Sequence, residues 1–159
     1  MLLDALLERD EGAIVDESTA SVVQTHMPHY DAAGEASVRQ KLDRLYARMR
    51  EAVRTRNSTH LETYARQIAR ERYEAGFDLS EVQAAIHALE AAVWRRVLAG
   101  VVANAFAERL GLVSTALGIA KDALAQEYVT LASQTHAPSL DLRALFDGTP
   151  EEAAGAIDC

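Results

Sequence analysis

His87 is the side chain whose setting most suggests chemistry, because it lies within a strongly apolar segment that ends at Leu98. A histidine surrounded by apolar side chains could ligate a haem iron. On an exposed face of a helical bundle it could instead accept a phosphoryl group. The segment His87–Ala91 has the leucine that phosphotransfer domains often show, but it lacks their usual lysine and glycine. The interpretation that the sequence favours is a hydrogen-bonded histidine at a packing seam beside Trp94. We therefore expect no cofactor, and His87 is the candidate cofactor-binding residue if haem or a lipid is bound.

His26 and His29 are a second pair with ligand-like spacing. Two histidines three residues apart can chelate a metal on a helix, but Pro28 lies between them and breaks the regular helix face. Metal sites also usually need a third protein ligand. The sequence therefore predicts no metal site.

The chain carries no recognisable catalytic motif. It has no Ser/His/Asp order, no glycine-rich phosphate loop and no catalytic pair of carboxylates. Tyr64, Arg72 and Tyr73 are better explained as packing and surface residues than as catalysts. Cys159 is better explained as a frayed end than as a reactive thiol, since no basic residue lies near it in sequence. We therefore predict that the protein is not an enzyme.

The elements that position these residues are two helices between Thr59 and Leu98. Thr59 and Glu62 have the spacing of a capping box, which marks a helix start. Gly76 should end that helix, because glycine takes a positive φ without a Cβ penalty. Asp78 or Ser80 should cap the next helix. One line of that helix should be buried: Val82, Ala85, Ile86, Leu89, Val93 and Val97. A second apolar line lies beside it: Ala84, His87, Ala91, Trp94 and Leu98.

The remaining elements are also predicted to be helical. We expect a short helix at residues 2–7, another from Gly12 to Pro28, a loop at residues 30–36 and a helix capped by Ser37. The longest helix should span residues 101–133, where apolar residues recur every three or four positions. It contains Gly111 and Gly118, each of which costs about 1 kcal/mol against alanine unless a neighbouring helix approaches closely.

Composition bounds the class of protein. The chain has 159 residues, 49% of them hydrophobic, with only three prolines, which favours one all-α domain over a sheet. We expect this domain at residues 1–136 and a short acidic, partly disordered tail at residues 137–159. No segment is apolar enough to span a membrane, the start lacks a basic region, and there is one cysteine, so we expect a cytoplasmic protein. The net charge of −8 argues against nucleic-acid binding.

Residues 13–98 resemble the N-terminal sensor domain of RsbR-type stressosome regulators. The resemblance rests on the early segment Ala13–Glu17, the helix containing Leu42 and Leu45, and above all the segment Arg70–Val82 around Gly76. It implies a globin-like, all-helical bundle that carries no haem in its best-known members. It also implies a dimeric, non-enzymatic sensor that receives a stress signal and passes it to another signalling protein through a long C-terminal helix.

The large apolar share of the surface of the last two helices predicts a homodimer. The Trp94 helix is apolar over more than half its circumference, which is more than one core needs. A two-fold dimer would cover such a surface with its own copy. The candidate interface residues are Trp94, Leu98, Val113, Leu117 and Leu124. The alternative is that these positions complete the core of the monomer.

Overall fold

The computed structural model describes residues 2–100 and 106–136. In these residues the chain forms six helices and no strand. The helices are α1 (Leu3–Gln24), α2 (Pro28–Ala33), α3 (Glu35–Thr55), α4 (Thr59–Glu74), α5 (Leu79–Gly100) and α6 (Phe106–His136). The prediction of an all-α protein is confirmed, whereas the predicted tail at residues 137–159 lies outside the described residues. No helix of the described part is long and apolar enough to cross a membrane.

The N-terminal residues form one long helix, so the prediction of two helices divided near Gly12 was wrong. Leu6, Leu7, Ile14 and Val15 are all fully buried and lie on one continuous stripe of α1. A glycine costs a helix about 1 kcal/mol, which is less than burying several aliphatic side chains contributes. The helix therefore continues through Gly12, because the packing of its apolar side chains outweighs the cost of the glycine.

Pro28 begins a helix as well as separating two. It occupies the first turn of α2, where a helix needs no N–H donor. Residues 30–33, predicted to be a loop, are consequently helical. Gly34, with φ +87°, separates α2 from α3. The start of α3 at Glu35 also corrects the predicted cap at Ser37.

The connector between α4 and α5 has the predicted form, although one predicted cap is absent. Gly76 has φ +84° just after α4 ends. The capping box of Thr59 and Glu62 does not form, since the Thr59 amide donates to the Asn57 side chain at 3.0 Å. At the start of α5, Glu81 accepts the Asp78 amide at 3.0 Å, so a carboxylate side chain does reach back to the helix start there.

Helix α5 lies at the centre of the packing. It contacts α1 on one side and α6 on the other, while α1 also packs on α3, and α4 on α6. The predicted buried line of α5 is confirmed in full: Val82, Ala85, Ile86, Leu89, Val93 and Val97. The second line is only partly buried or exposed, so α5 offers an apolar face to solvent.

Helix α6 completes the core of the single chain. Val113, Leu117 and Leu124 are each 0% exposed. Because one chain already buries them, they fit the alternative that these positions complete the core of the monomer. No described residue of another element comes close to Gly111 or Gly118, because an added Cβ would meet nothing within 4 Å at either position.

Candidate functional site

The exposed face of α5 forms an open groove, which we call the α5 groove. It is lined by apolar and charged side chains of α5 and α6: His87, Glu90, Ala91, Trp94, Arg95, Leu98 and Lys121. Trp94 is 38% exposed and Leu98 is 54% exposed. The indole N–H of Trp94 donates to the Ser114 hydroxyl at 3.2 Å, which holds the ring against α6. Of the five predicted interface residues, the structure brings these two together at the surface.

Ion pairs between basic and acidic side chains lie beside the groove. The Lys121 ammonium lies 2.7 Å from a Glu90 carboxylate oxygen. Across α5, Arg95 and Arg96 both pair with Glu17 of α1. Two arginines thus share one carboxylate beside the groove, and Lys121 has a carboxylate of its own, so the apolar strip lies between ion-paired side chains.

His87 lies in this groove and is exposed. It lines the same groove as Trp94, but it forms no hydrogen bond with the described residues, so the predicted hydrogen bond at a packing seam is not observed. An exposed position in an open groove differs from an enclosed apolar haem pocket. It is the setting that a phosphoacceptor histidine would need. Binding of haem or lipid at His87 stays a prediction.

The histidines near Pro28 do not point to a shared ligand. The His26 ring lies 3.6 Å from Asp31, whereas His29 Nδ1 lies 2.7 Å from a Glu81 oxygen. No group of three residues that could hold a metal ion occurs in the part of the chain that the structure describes.

A second candidate site is a small cavity between α2, α3, α4 and α5, which we call the Arg72 cavity. Its volume is about 20 Å³. Four polar side chains line it: Tyr30, Lys41, Tyr64 and Arg72. The rest of the lining is aliphatic: Val38, Leu42, Leu45, Ile68, Val82, Ala85 and Ile86. The cavity thus has a group of polar side chains on a wall that is otherwise aliphatic.

Arg72 is the unusual member of this cluster. It is only 9% exposed, and its buried Nε forms no hydrogen bond with the described residues. The nearest carboxylate is Glu71, 3.9 Å from Nη1. The guanidinium carbon also lies 5.6 Å from the centre of the Phe77 ring, within range of a cation–π interaction.

The other polar residues of the cavity have perturbed proton affinities. Burial lowers the pKa of Lys41, and the nearby charge of Arg72 lowers it further. Burial raises the pKa of Tyr30, against the opposing effect of Arg72. Burial likewise raises the pKa of Tyr64. Both phenols therefore remain protonated at neutral pH and can donate hydrogen bonds.

Sequence reasoning missed this cavity, although one signal was present. Arg72 continues the helical spacing of Leu61, Ala65 and Ile68, so an arginine occupies an apolar stripe. An arginine on a buried stripe needs a partner. The interpretation of Arg72 as a packing or surface residue was half right, since it is packed but not at the surface.

Both sites lie within the part of the chain that matches a known family. Residues 12–146 match the family model described as the RsbT co-antagonist protein rsbRD N-terminal domain. The chain belongs to this family. The resemblance inferred from the Gly76 region is thereby confirmed, and the RsbRD family is one of regulatory domains in stress signalling. Comparison with curated proteins and with solved structures gives no match.

One departure from the expected RsbRD pattern has a clear place in the fold. The resemblance to RsbR-type domains implies a tryptophan after Asp16 and Glu17, where this chain has Ser18. Ser18 is 0% exposed, and its hydroxyl donates to the Ile14 carbonyl at 2.8 Å. The serine side chain is thus buried, and its hydrogen-bond partner lies within its own helix.

Proposed function

We propose that this RsbRD-family domain is a non-enzymatic signalling module that works as a homodimer and acts on a further signalling protein through surface contacts. The observation that carries the proposal is the exposure of Trp94 and Leu98 on one face of α5. Covering large apolar side chains with a partner removes them from water, which favours association. Tryptophan is also among the residues that most often dominate binding energy at interfaces. Membership of a regulatory family supports the same role.

A second copy of this chain is the partner that we propose for the α5 groove. The surrounding charges are already paired, as in Lys121–Glu90 and Arg95–Glu17. Two identical grooves can therefore meet about a two-fold axis without placing unpaired like charges against each other. The apolar strip would then meet its own copy.

The experiment is light scattering over a dilution series on the wild type and two variants. The double variant Trp94→Glu/Leu98→Glu places charges in the groove, while Val129→Glu is the matched control. Val129 is 63% exposed on α6 and does not line the groove. We expect a dimeric wild type, a folded monomeric double variant and a dimeric control.

Two results would count against the dimer. A wild type that stays monomeric at high micromolar concentration would remove it altogether. A Val129→Glu variant that becomes monomeric along with the double variant would move the interface away from the α5 groove. Circular dichroism on each variant establishes that the fold is intact.

Histidine phosphotransfer is the second candidate function, because His87 is exposed on a helix of the bundle. The test is incubation with a phosphorylated response regulator, comparing His87→Gln with His60→Gln. The His60 side chain is 72% exposed, so it is a suitable control histidine. A stable label that His87→Gln alone abolishes would favour this function over the non-enzymatic one. Absence of label on the wild type would exclude it.

A further inference from the structure

The Arg72 guanidinium is a buried charge with too few acceptors. Its Nε is buried and unpaired among the described residues. Its one carboxylate neighbour, Glu71, lies 3.9 Å away, is 53% exposed and already accepts a hydrogen bond from Gln67. A buried ionised group is costly unless it is paired and hydrogen-bonded. The buried Nε therefore calls for a further acceptor, which the described residues do not provide.

Lys41 adds a second cation at the same place. Its ammonium lies 5.3 Å from the centre of the Phe77 ring and 5.8 Å from that of Tyr30. It is half-buried, and no carboxylate of the described residues lies within 4.0 Å of it. Arg72 interacts with the same Phe77 ring at 5.6 Å. Two positive charges at the border of one cavity repel each other. A bound anion would attract both cations and so offset this repulsion.

The cavity has the size and the lining for a small anion. Its volume of about 20 Å³ holds a single ion or water-sized group. The cavity is open to solvent on one side, so a short tail on the anion could extend outside the polar cluster. Tyr30 and Tyr64 supply hydroxyl donors beside the two cations. Hydrogen bonds from a guanidinium or an ammonium to an anion are among the strongest in proteins.

We propose that the Arg72 cavity binds a small monovalent anion, a halide or the carboxylate head of a small organic acid, through Arg72 and Lys41 with Tyr30 and Tyr64 as hydroxyl donors. The anion would connect α2, α3 and α4, because Tyr30, Lys41 and Arg72 come from these three helices. Binding would therefore stabilise their packing, and the stabilisation would grow with the logarithm of the anion concentration.

The experiment measures thermal unfolding in sodium salts of bromide, chloride, acetate and butyrate at constant ionic strength, balanced with gluconate. Gluconate is monovalent, and the hydroxyl-bearing carbon next to its carboxylate makes its head bulkier than that of acetate or butyrate. Line broadening of the bromide nuclear magnetic resonance signal provides a direct measure of binding. For the wild type we expect an unfolding midpoint that rises with the concentration of the bound anion, relative to gluconate.

Three variants locate the effect. Arg72→Met and Lys41→Met each remove one cation, and affinity should fall about tenfold or more. The matched control is Arg70→Met on the same helix, because the Arg70 side chain is 54% exposed and pairs with Glu127 at 3.3 Å instead of lining the cavity. Arg70→Met should keep the wild-type anion dependence. If Arg72→Met does not fold, the half-buried position of Lys41 still allows the test.

The anion series also distinguishes the two sources of negative charge. Stabilisation by bromide and chloride alone supports an inorganic ion. A larger effect of acetate or butyrate at equal concentration supports the carboxylate of an organic acid. The proposal is overturned if no anion exceeds gluconate, in which case Arg72 Nε donates to water. It is equally overturned if the effect persists in both Arg72→Met and Lys41→Met.

Discussion

His29 Nδ1 lies 2.7 Å from Glu81 Oε2 and joins the first turn of α2 to the first turn of α5. The same carboxylate accepts the amide N–H of His29 at 3.2 Å and that of Asp78 at 3.0 Å. Glu81 is only 6% exposed. The His29 ring also packs on Phe77, with ring centres 5.1 Å apart. A single buried carboxylate thus holds together two segments that are 52 positions apart in sequence.

The first prediction is a loss of stability in acid that depends on Glu81. Burial by itself would raise the pKa of this carboxyl group, but the amides of Asp78 and His29 and the His29 ring hold the pKa below its ordinary value of 4.5. A carboxyl group with a lowered folded-state pKa stabilises the protein above its unfolded-state pKa. That contribution is lost as the pH falls through the folded-state value.

Glu81→Gln should therefore lower stability at neutral pH by about 1–3 kcal/mol and flatten the decrease at acid pH. Urea denaturation at a series of pH values from about 7 to about 3 measures both effects. Glu74→Gln, at an exposed position near the end of α4, is the control and should retain the wild-type pH profile. An unchanged acid decrease in Glu81→Gln would show that other carboxyl groups cause it.

The second prediction compares the effect on stability of substitutions at buried and at exposed leucines. Leu117 and Leu124 are 0% exposed, so Leu117→Glu should unfold the chain, since burying a charge costs several kcal/mol. The milder Leu117→Ala should cost about 2–5 kcal/mol in urea denaturation. Leu98→Glu, at a position 54% exposed, should leave the free energy of unfolding within about 0.5 kcal/mol at concentrations where the protein is monomeric. A folded Leu117→Glu monomer would contradict the core position.

The third prediction concerns glycines with opposite roles. Gly118 lies within α6, and a Cβ at this position would meet no atom of another described element within 4 Å, so Gly118→Ala should stabilise the protein by up to about 1 kcal/mol. Gly76 has φ +84°, and its built Cβ would lie 3.5 Å from the His29 ring. Gly76→Ala should therefore destabilise by about 1 kcal/mol or more. Thermal unfolding of the two variants side by side should give midpoint shifts of opposite sign.

The fourth prediction concerns a hydrogen bond inside the core. The Tyr46 hydroxyl donates to the Leu7 carbonyl at 2.6 Å, and Tyr46 is 0% exposed. Burial raises the pKa of Tyr46, so the phenol remains a donor at neutral and mildly alkaline pH. Tyr46→Phe should cost about 1 kcal/mol. Tyr73→Phe, whose hydroxyl bonds to Thr135 at an exposed position, should cost much less in the same denaturation experiment. Equal costs would show that the buried bond adds nothing.

The sequence by itself determined the helical class and the connector at Gly76. Both depend on local physics, because apolar spacing identifies a helix face and a positive φ after a helix favours glycine. The buried line of α5 could also be predicted, because its apolar residues keep helical spacing without interruption through Val97. Family membership followed from the same local pattern.

Only the tertiary structure decided which apolar residues face a neighbour and which face solvent. Trp94 and Leu124 each belong to a line of apolar residues at helical spacing, and the sequence gives no reason to bury one rather than the other. Yet Trp94 is 38% exposed and Leu124 is 0% exposed. The difference arises because α3, α4 and α5 pack against α6, while no element of the described chain covers the Trp94 side of α5. Likewise, Gly12 looked like a helix boundary, and the sequence left open whether Arg72 packs in the core or lies at the surface. Whether a helix continues through a glycine, and whether an arginine is enclosed, depends on neighbours that the local pattern does not contain.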